Sequence, residues 1–128
     1  MEDFHTFLQQ YLSSWKAANL DFMKIVIDES FKGIEIRDGI ASTHGKEASV
    51  TGWSQAFTYF KDKDMEWILS PTTILPLNEN EMMAIIRATM TLEGKLIDTS
   101  NLFFQTFSSK SGEWKLIRTY EETGVLNS

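Results

Sequence analysis

Residues 82–122, MMAIIRATMTLEGKLIDTSNLFFQTFSSKSGEWKLIRTYEE, decide the fold. Apolar side chains recur there at every second position, the period of a β-strand rather than a helix. Two breaks divide the stretch. Glu93-Gly94 reads as a tight hairpin turn, with glycine supplying a positive φ, and residues 108–112 form a polar loop ending in Gly112. Three consecutive antiparallel strands are predicted: 82–92, 95–107 and 113–123.

Setting Leu92 opposite Lys95 fixes a register. Met90 then meets Ile97, Ala88 meets Thr99, Ile86 meets Asn101 and Ala84 meets Phe103. In the next hairpin Phe107 meets Trp114, Gln105 meets Leu116, Phe103 meets Arg118 and Asn101 meets Tyr120. Alternate side chains share a face, so these pairings predict two unlike surfaces. On the first, Ala84 and Ala88 leave room, and Trp67, Phe103, Phe107 and Trp114 wall it. Asn101, Thr99, Thr73, Arg118, Tyr120 and Glu122 are expected toward one end of that space. A surface that is aromatic at one end and hydrogen-bonding at the other is how a ligand pocket is built. Trp15 and Trp53, with Phe57 on the same helix as Trp53, are the helical residues expected to bind ligand at its mouth. The second surface gathers Ile74, Ile85, Leu102, Phe104 and Ile117, ringed by Arg87, Asp98, Lys115 and Glu121. Monomers seldom keep such an apolar patch in water, so a homodimer packed through it is expected.

Upstream, Phe4, Phe7, Leu8, Tyr11, Leu12, Trp15 and Ala18 form one helical stripe, capped by Asp3. Asn19 breaks it and caps a second, shorter helix with Phe22, Ile25 and Val26 facing inward. Residues 31–37 alternate and Asp38-Gly39 is a turn, which predicts a short hairpin. Helical spacing returns over 45–60 through Trp53, Ala56, Phe57 and Phe60. From Met65 the period is two again, and Pro71 and Pro76 mark an irregular or edge strand.

The chain has 128 residues, which suits one domain over 1–128. Cysteine is absent, which removes disulfides, thiolate catalysis and cysteine-based zinc sites. Twelve basic against eighteen acidic residues give a net charge of −6 and no basic tract, which disfavours nucleic acid and anionic membranes as partners. The acidic, polar start MEDFHTFLQQ is not a signal peptide, and no apolar run approaches a membrane span. A cytoplasmic protein is expected. His5 and His44 have no second metal-ligating residue nearby in sequence, so no metal is expected, and no phosphate loop, nucleophile elbow or other cofactor motif is present.

Two or three helices followed by a bent antiparallel sheet resemble the nuclear transport factor 2-like (NTF2-like, cystatin-like) superfamily, which includes the SnoaL-like and ketosteroid-isomerase-like families. Three stretches carry the resemblance: WKAANLDFMK, IRDGIASTHGKEA and SGEWKLIRTYEETG. It covers nearly the whole chain. It implies an α+β fold in which N-terminal helices pack on a strongly curved antiparallel sheet around a conical cavity, with dimers formed through the outer sheet face. It transfers no activity, because catalytic members place their inward Asp, His or paired carboxylates differently, and the last-strand position often held by His is Arg118 or Tyr120 here.

Arg118 suits an anionic ligand through its fork of donors, and pairing with Glu122 on the same face is the competing role. Tyr120 and Glu122 are the catalytic candidates, as hydrogen-bond donor and general base of a cofactor-independent isomerase, dehydratase or cyclase. Three functions result, with binding favoured over catalysis: a module holding a small, partly apolar molecule; such an enzyme acting on a small carbonyl compound; or a dimerisation module with a vestigial cavity.

Overall fold

Asp3 caps the first helix as its position predicts. In the computed structural model, which describes residues 2–127, its carboxylate accepts hydrogen bonds from the Thr6 amide (3.0 Å) and hydroxyl (3.1 Å), occupying one of the amides a helix start leaves unpaired. Phe4, Phe7, Leu8, Tyr11 and Trp15 of α1 (Phe4–Lys16) are buried. Asn19 caps α2 (Leu20–Val26) through the Phe22 amide at 3.1 Å. Here the inward set differs from expectation. Met23 and Val26 are buried and Phe22 is half-buried, whereas Ile25 is 64% exposed, because so short a helix turns only one narrow stripe to the core. The third helix, α3 (Lys46–Phe60), follows the first hairpin.

Seven strands form one open sheet among the described residues: β1 (Ile27–Arg37), β2 (Ile40–His44), β3 (Met65–Asn78), β4 (Glu81–Leu92), β5 (Lys95–Leu96), β6 (Thr99–Ser108) and β7 (Lys115–Leu126). Their order is β2-β1-β7-β6-β4-β3, with β5 beside β4. The expected all-antiparallel sheet is a mixed one. The β1–β2 hairpin docks on the last strand, and β1 runs parallel to β7. The α+β assignment holds, with three helices packed on this sheet. β3 lies at an edge, and its pairing slips just after Pro71 and again after Pro76, where proline's missing amide proton is tolerated.

Two register differences have opposite consequences. The predicted 95–107 strand is broken at Ile97 and Asp98, so Asn101 faces Ala88 and Phe103 faces Ile86. The offset from the expected pairing is two residues, and an even offset leaves every side chain on its expected face. In β7 the step is odd. Phe107 faces Leu116 but Thr106 faces Arg118, leaving Ile117 as an unpaired extra residue. This bulge reverses the faces beyond it. Arg118, Tyr120 and Glu122 therefore lie on the outer surface, and Thr119 and Glu121 face inward. The slip after Pro71 likewise carries Thr73 outward, opposite Ile85, and turns Ile74 inward against the core. Of the expected outer patch, Ile85, Leu102 and Phe104 share the outer face, while Ile117 sits in the bulge.

Deleting Ile117 would restore the unbulged register and drive Arg118, Tyr120 and Glu122 into the interior. Burying an unpaired charge costs several kcal/mol (roughly 3–5). The deletion is expected to abolish cooperative unfolding, whereas Ile117→Ala, which keeps the extra residue, retains it. Thermal denaturation of both variants checks this, and an unchanged transition in the deletion would show that the bulge does not set the faces.

Candidate functional site

The aromatic core has two parts. Phe107 packs against Phe4, Phe7 and Tyr11 of α1, with ring centroids 5.5, 5.4 and 5.2 Å away. Trp114, expected on the cavity wall, closes this end, 5.1 Å from Phe4, and its indole N–H donates to the Glu2 carbonyl at 3.0 Å. One turn further along α1, Trp15 is the centre of the second part. Trp53 of α3 lies 4.8 Å from it, Phe103 of β6 5.0 Å and Trp67 of β3 5.9 Å. All are edge-on contacts, the favoured arrangement of aromatic quadrupoles.

This second cluster borders a cavity of about 600 Å³ between α3 and the inner sheet face. Trp15, Trp53, Trp67, Phe103 and Asn101 line it, all of them singled out from sequence. Phe57 is buried behind Trp53, at 5.6 Å, rather than on the lining. Thr99 is half-buried and does not reach the lining; its carbonyl accepts from the Thr89 hydroxyl at 2.7 Å. Asn101 uses its side-chain oxygen to accept from the Gly124 amide at 3.2 Å.

The catalytic and anion-binding candidates lie elsewhere. The exposed Tyr120 hydroxyl donates to Glu122, and the carboxylate raises the phenol's pKa. Arg118 pairs with Glu81 at 3.3 Å and not with Glu122.

The polar end of the cavity holds Glu35 and Arg37, which the sequence reading passed over, and Glu121, which it placed on the outer face and the β7 bulge turns inward. Glu35 of β1 and Glu121 of β7 are register partners in the parallel pair, so their carboxylates emerge side by side on one face. Arg37, two residues along the same face, pairs with Glu35 at 3.4 Å. Among the described residues Glu121 has no ion-pair or hydrogen-bond partner. Burial, and secondarily the like charge of Glu35, push its carboxyl up to about 7, with Arg37 opposing weakly. Gln105 and Thr119 sit one row deeper, with the Gln105 amide donating to the Thr119 hydroxyl at 3.5 Å. Two buried polar atoms on lining side chains, Trp15 Nε1 and Gln105 Oε1, have no hydrogen-bond partner. His44 borders the cavity from the end of β2. It lies across Gly33, where a Cβ would come within 2.6 Å of the imidazole ring. Glycine is thus required at that position for the ring to rest on β1. No group of three or more His, Cys, Asp or Glu suited to a metal occurs among the described residues, and none of their helices is long and apolar enough to cross a membrane.

No family model and no curated protein matches the sequence. Solved structures do resemble the fold. A domain of unknown function with a cystatin-like fold from Nostoc punctiforme superposes with a TM-score of 0.71 at 12% identity, over 94% of this chain and 74% of that one. An NTF2-like protein of unknown function in nutrient uptake from Rhodospirillum rubrum gives 0.68 at 12% identity, over 95% and 98%. A putative calcium/calmodulin-dependent protein kinase type II association domain from Thiobacillus denitrificans gives 0.68 at 14%, over 88% of each chain. The fold is therefore NTF2-like, as the sequence resemblance implies.

The raised carboxyl of Glu121 makes stability depend on pH. Its folded value, about 7, exceeds the ordinary 4.5, so between these limits the folded protein keeps a proton that the unfolded chain has released. The group's contribution is complete below pH 4.5 and is lost as pH rises through 7, in total about 3 kcal/mol. Glu121→Gln is expected to exceed the wild type in stability at pH 8 and to match it at pH 4.5. Urea unfolding at both pH values measures the difference; an equal effect at each would contradict the burial of this charge.

Proposed function

We propose that this protein is a small-molecule-binding domain whose ligand occupies the cavity between α3 and the inner sheet face. The observation that carries this reading is the cavity itself, about 600 Å³ between aromatic walls and a polar end, with Gly52 at its opening. Gly52 stands in the interior of α3, on the cavity lining, and a Cβ built there meets nothing within 4 Å. Glycine within a helix costs about 1 kcal/mol relative to alanine. Neither close packing nor a positive φ requires it at this position, and Gly52 is exposed, so it stands where the cavity opens to solvent. The cavity volume also falls in the range of ligand pockets, roughly 300–1,000 Å³. Its aromatic walls supply apolar contact area, and Glu121, Gln105 and Asn101 supply polar groups at one end.

Gly52→Leu sets a bulky side chain at this opening without a backbone clash and improves helix propensity by about 1 kcal/mol or less. The variant is expected to melt at or above the wild-type temperature. It is also expected to lose the small-molecule binding that the wild type shows in a fragment screen followed by the tryptophan indole N–H resonances. Retained binding in a stable Gly52→Leu protein would place the ligand elsewhere.

The outer face supports a second element of the proposal, a homodimer. Ile34, Ile85, Leu102, Phe104 and Tyr120 form a continuous apolar area across four strands, with Ile34 40% and Tyr120 39% exposed. Leu102 is flanked in one row by Arg87 on β4 and Glu122 on β7. Opposite charges on either side of an apolar centre are self-complementary under a two-fold axis. Phe104→Glu is expected to convert dimers to monomers in sedimentation, and a monomeric wild type would refute the interface.

A further inference from the structure

We propose that the polar end of this cavity recognises an organic ammonium group, so that the ligand is an amine with an apolar or aromatic body. The inference deepens the small-molecule-binding reading and rests on it. The titratable and charged groups facing the site come from three strands: Glu121 from β7, Glu35 and Arg37 from β1, and His44 from β2. The lining residues contributed by α3 and β6 carry no charge. Arg37 is committed to Glu35 through Nε at 3.4 Å and Nη2 at 3.5 Å, and its side chain is 63% exposed. One carboxylate is thereby neutralised and the other is left without a counterion.

Acceptors stand beside the free charge, while the unpartnered Trp15 indole N–H, a donor, belongs to the aromatic wall. Gln105, only 1% exposed, lines the cavity with its carbonyl oxygen unpartnered, and Glu121 adds two more acceptor oxygens. The side-chain oxygen of Asn101 is already held by Gly124. A group that brings several donors and a positive charge satisfies this arrangement; a carboxylate or phosphate meets like charge. The setting also suits a cation. Phe103 is the direct neighbour of Glu121 across β6–β7, and Trp15 and Trp53 stand next in the aromatic wall. Aromatic faces attract ammonium groups, and more strongly where water is excluded. A bound ammonium also removes the penalty of two adjacent carboxylates, only one of which has a counterion.

The test compares one apolar body with three head groups: 4-phenylbutylamine, 4-phenylbutanol and 4-phenylbutyrate. Each is titrated into the wild type and Glu121→Gln at pH 8, where an alkylamine with a pKa of about 10.4 remains charged. Binding is read from the indole N–H resonances. The amine is expected to bind the wild type about tenfold more tightly than the alcohol, with the butyrate weakest. Glu121→Gln should remove that preference while the alcohol binds as before. Amine affinity should also fall between pH 8 and pH 6 as Glu121 takes up its proton. Alcohol or butyrate binding as tightly as the amine would overturn the ammonium assignment and leave the cavity reading intact, since the indoles would still respond. Silence with all three probes would overturn both. The head-group comparison on the wild type decides the proposal even if Glu121→Gln fails to fold.

Discussion

Leu116 and Arg118 bracket the step on which the inner face of the sheet depends. Leu116 is paired with Phe107 and Arg118 with Thr106, so Ile117 has no partner on β6. From Arg118 to Glu122 the strand is turned over, until a second irregularity ahead of Val125. Thr119 and Glu121 point into the protein because of that one residue, and Arg118, Tyr120 and Glu122 point out. The parallel strand on the other side follows the same phase. Gly33 lies beside Thr119 and Glu35 beside Glu121, so β1 extends the inner face that the bulge has chosen. A hydrophobic interior would favour the opposite arrangement at Glu121, since a buried carboxylate without a counterion is costly. The bulge thus sets one half-buried carboxylate on the inner face in place of Arg118 and Glu122.

The aromatic residues separate the work of stability from the work of the cavity along a single helix. The first turns of α1 bring Phe4, Phe7 and Tyr11 onto Phe107, which is fully buried. Burial of each such ring is worth about 1.5–3 kcal/mol, and no open space remains there for a ligand to use. Trp15 begins the second cluster, where the rings have packing partners on one side and the cavity on the other. A change near Phe107 acts on folding first. A change near Trp53 or Gly52 acts on the cavity first.

Much of this architecture was legible in the sequence because it rests on local chemistry. The helix caps at Asp3 and Asn19, the Glu93-Gly94 turn and the proline-marked edge strand are each written within a few residues. The mismatch at Ile97 and Asp98 did no harm to the reading of faces, because a two-residue offset preserves them. The bulge did. Strict alternation in LIRTYEE places Arg118, Tyr120 and Glu122 with Leu116, and the only trace of a phase change is the adjacent apolar pair Leu116-Ile117. Glu35, Arg37 and His44 were missed for a different reason. They enter the cavity only because β1 docks parallel to β7, a pairing between residues more than eighty positions apart that no local pattern encodes.

The charge pattern extends this argument from geometry to recognition. Lys32, Lys110, Lys115 and Arg118 lie together around a second cleft, near the bulged end of β7, with Asp28 and Glu81 among them. The chain therefore carries several of its cations near the bulge, outside the aromatic cavity, although its net charge is −6. In the cavity the one arginine on the lining is paired with Glu35, and Glu121 remains the uncompensated group. Had the register run without the bulge, Arg118, Tyr120 and Glu122 would have turned inward in place of Thr119 and Glu121. A single inserted residue thus decides which charges face the cavity: an arginine and a glutamate able to pair with each other, or one glutamate left without a counterion.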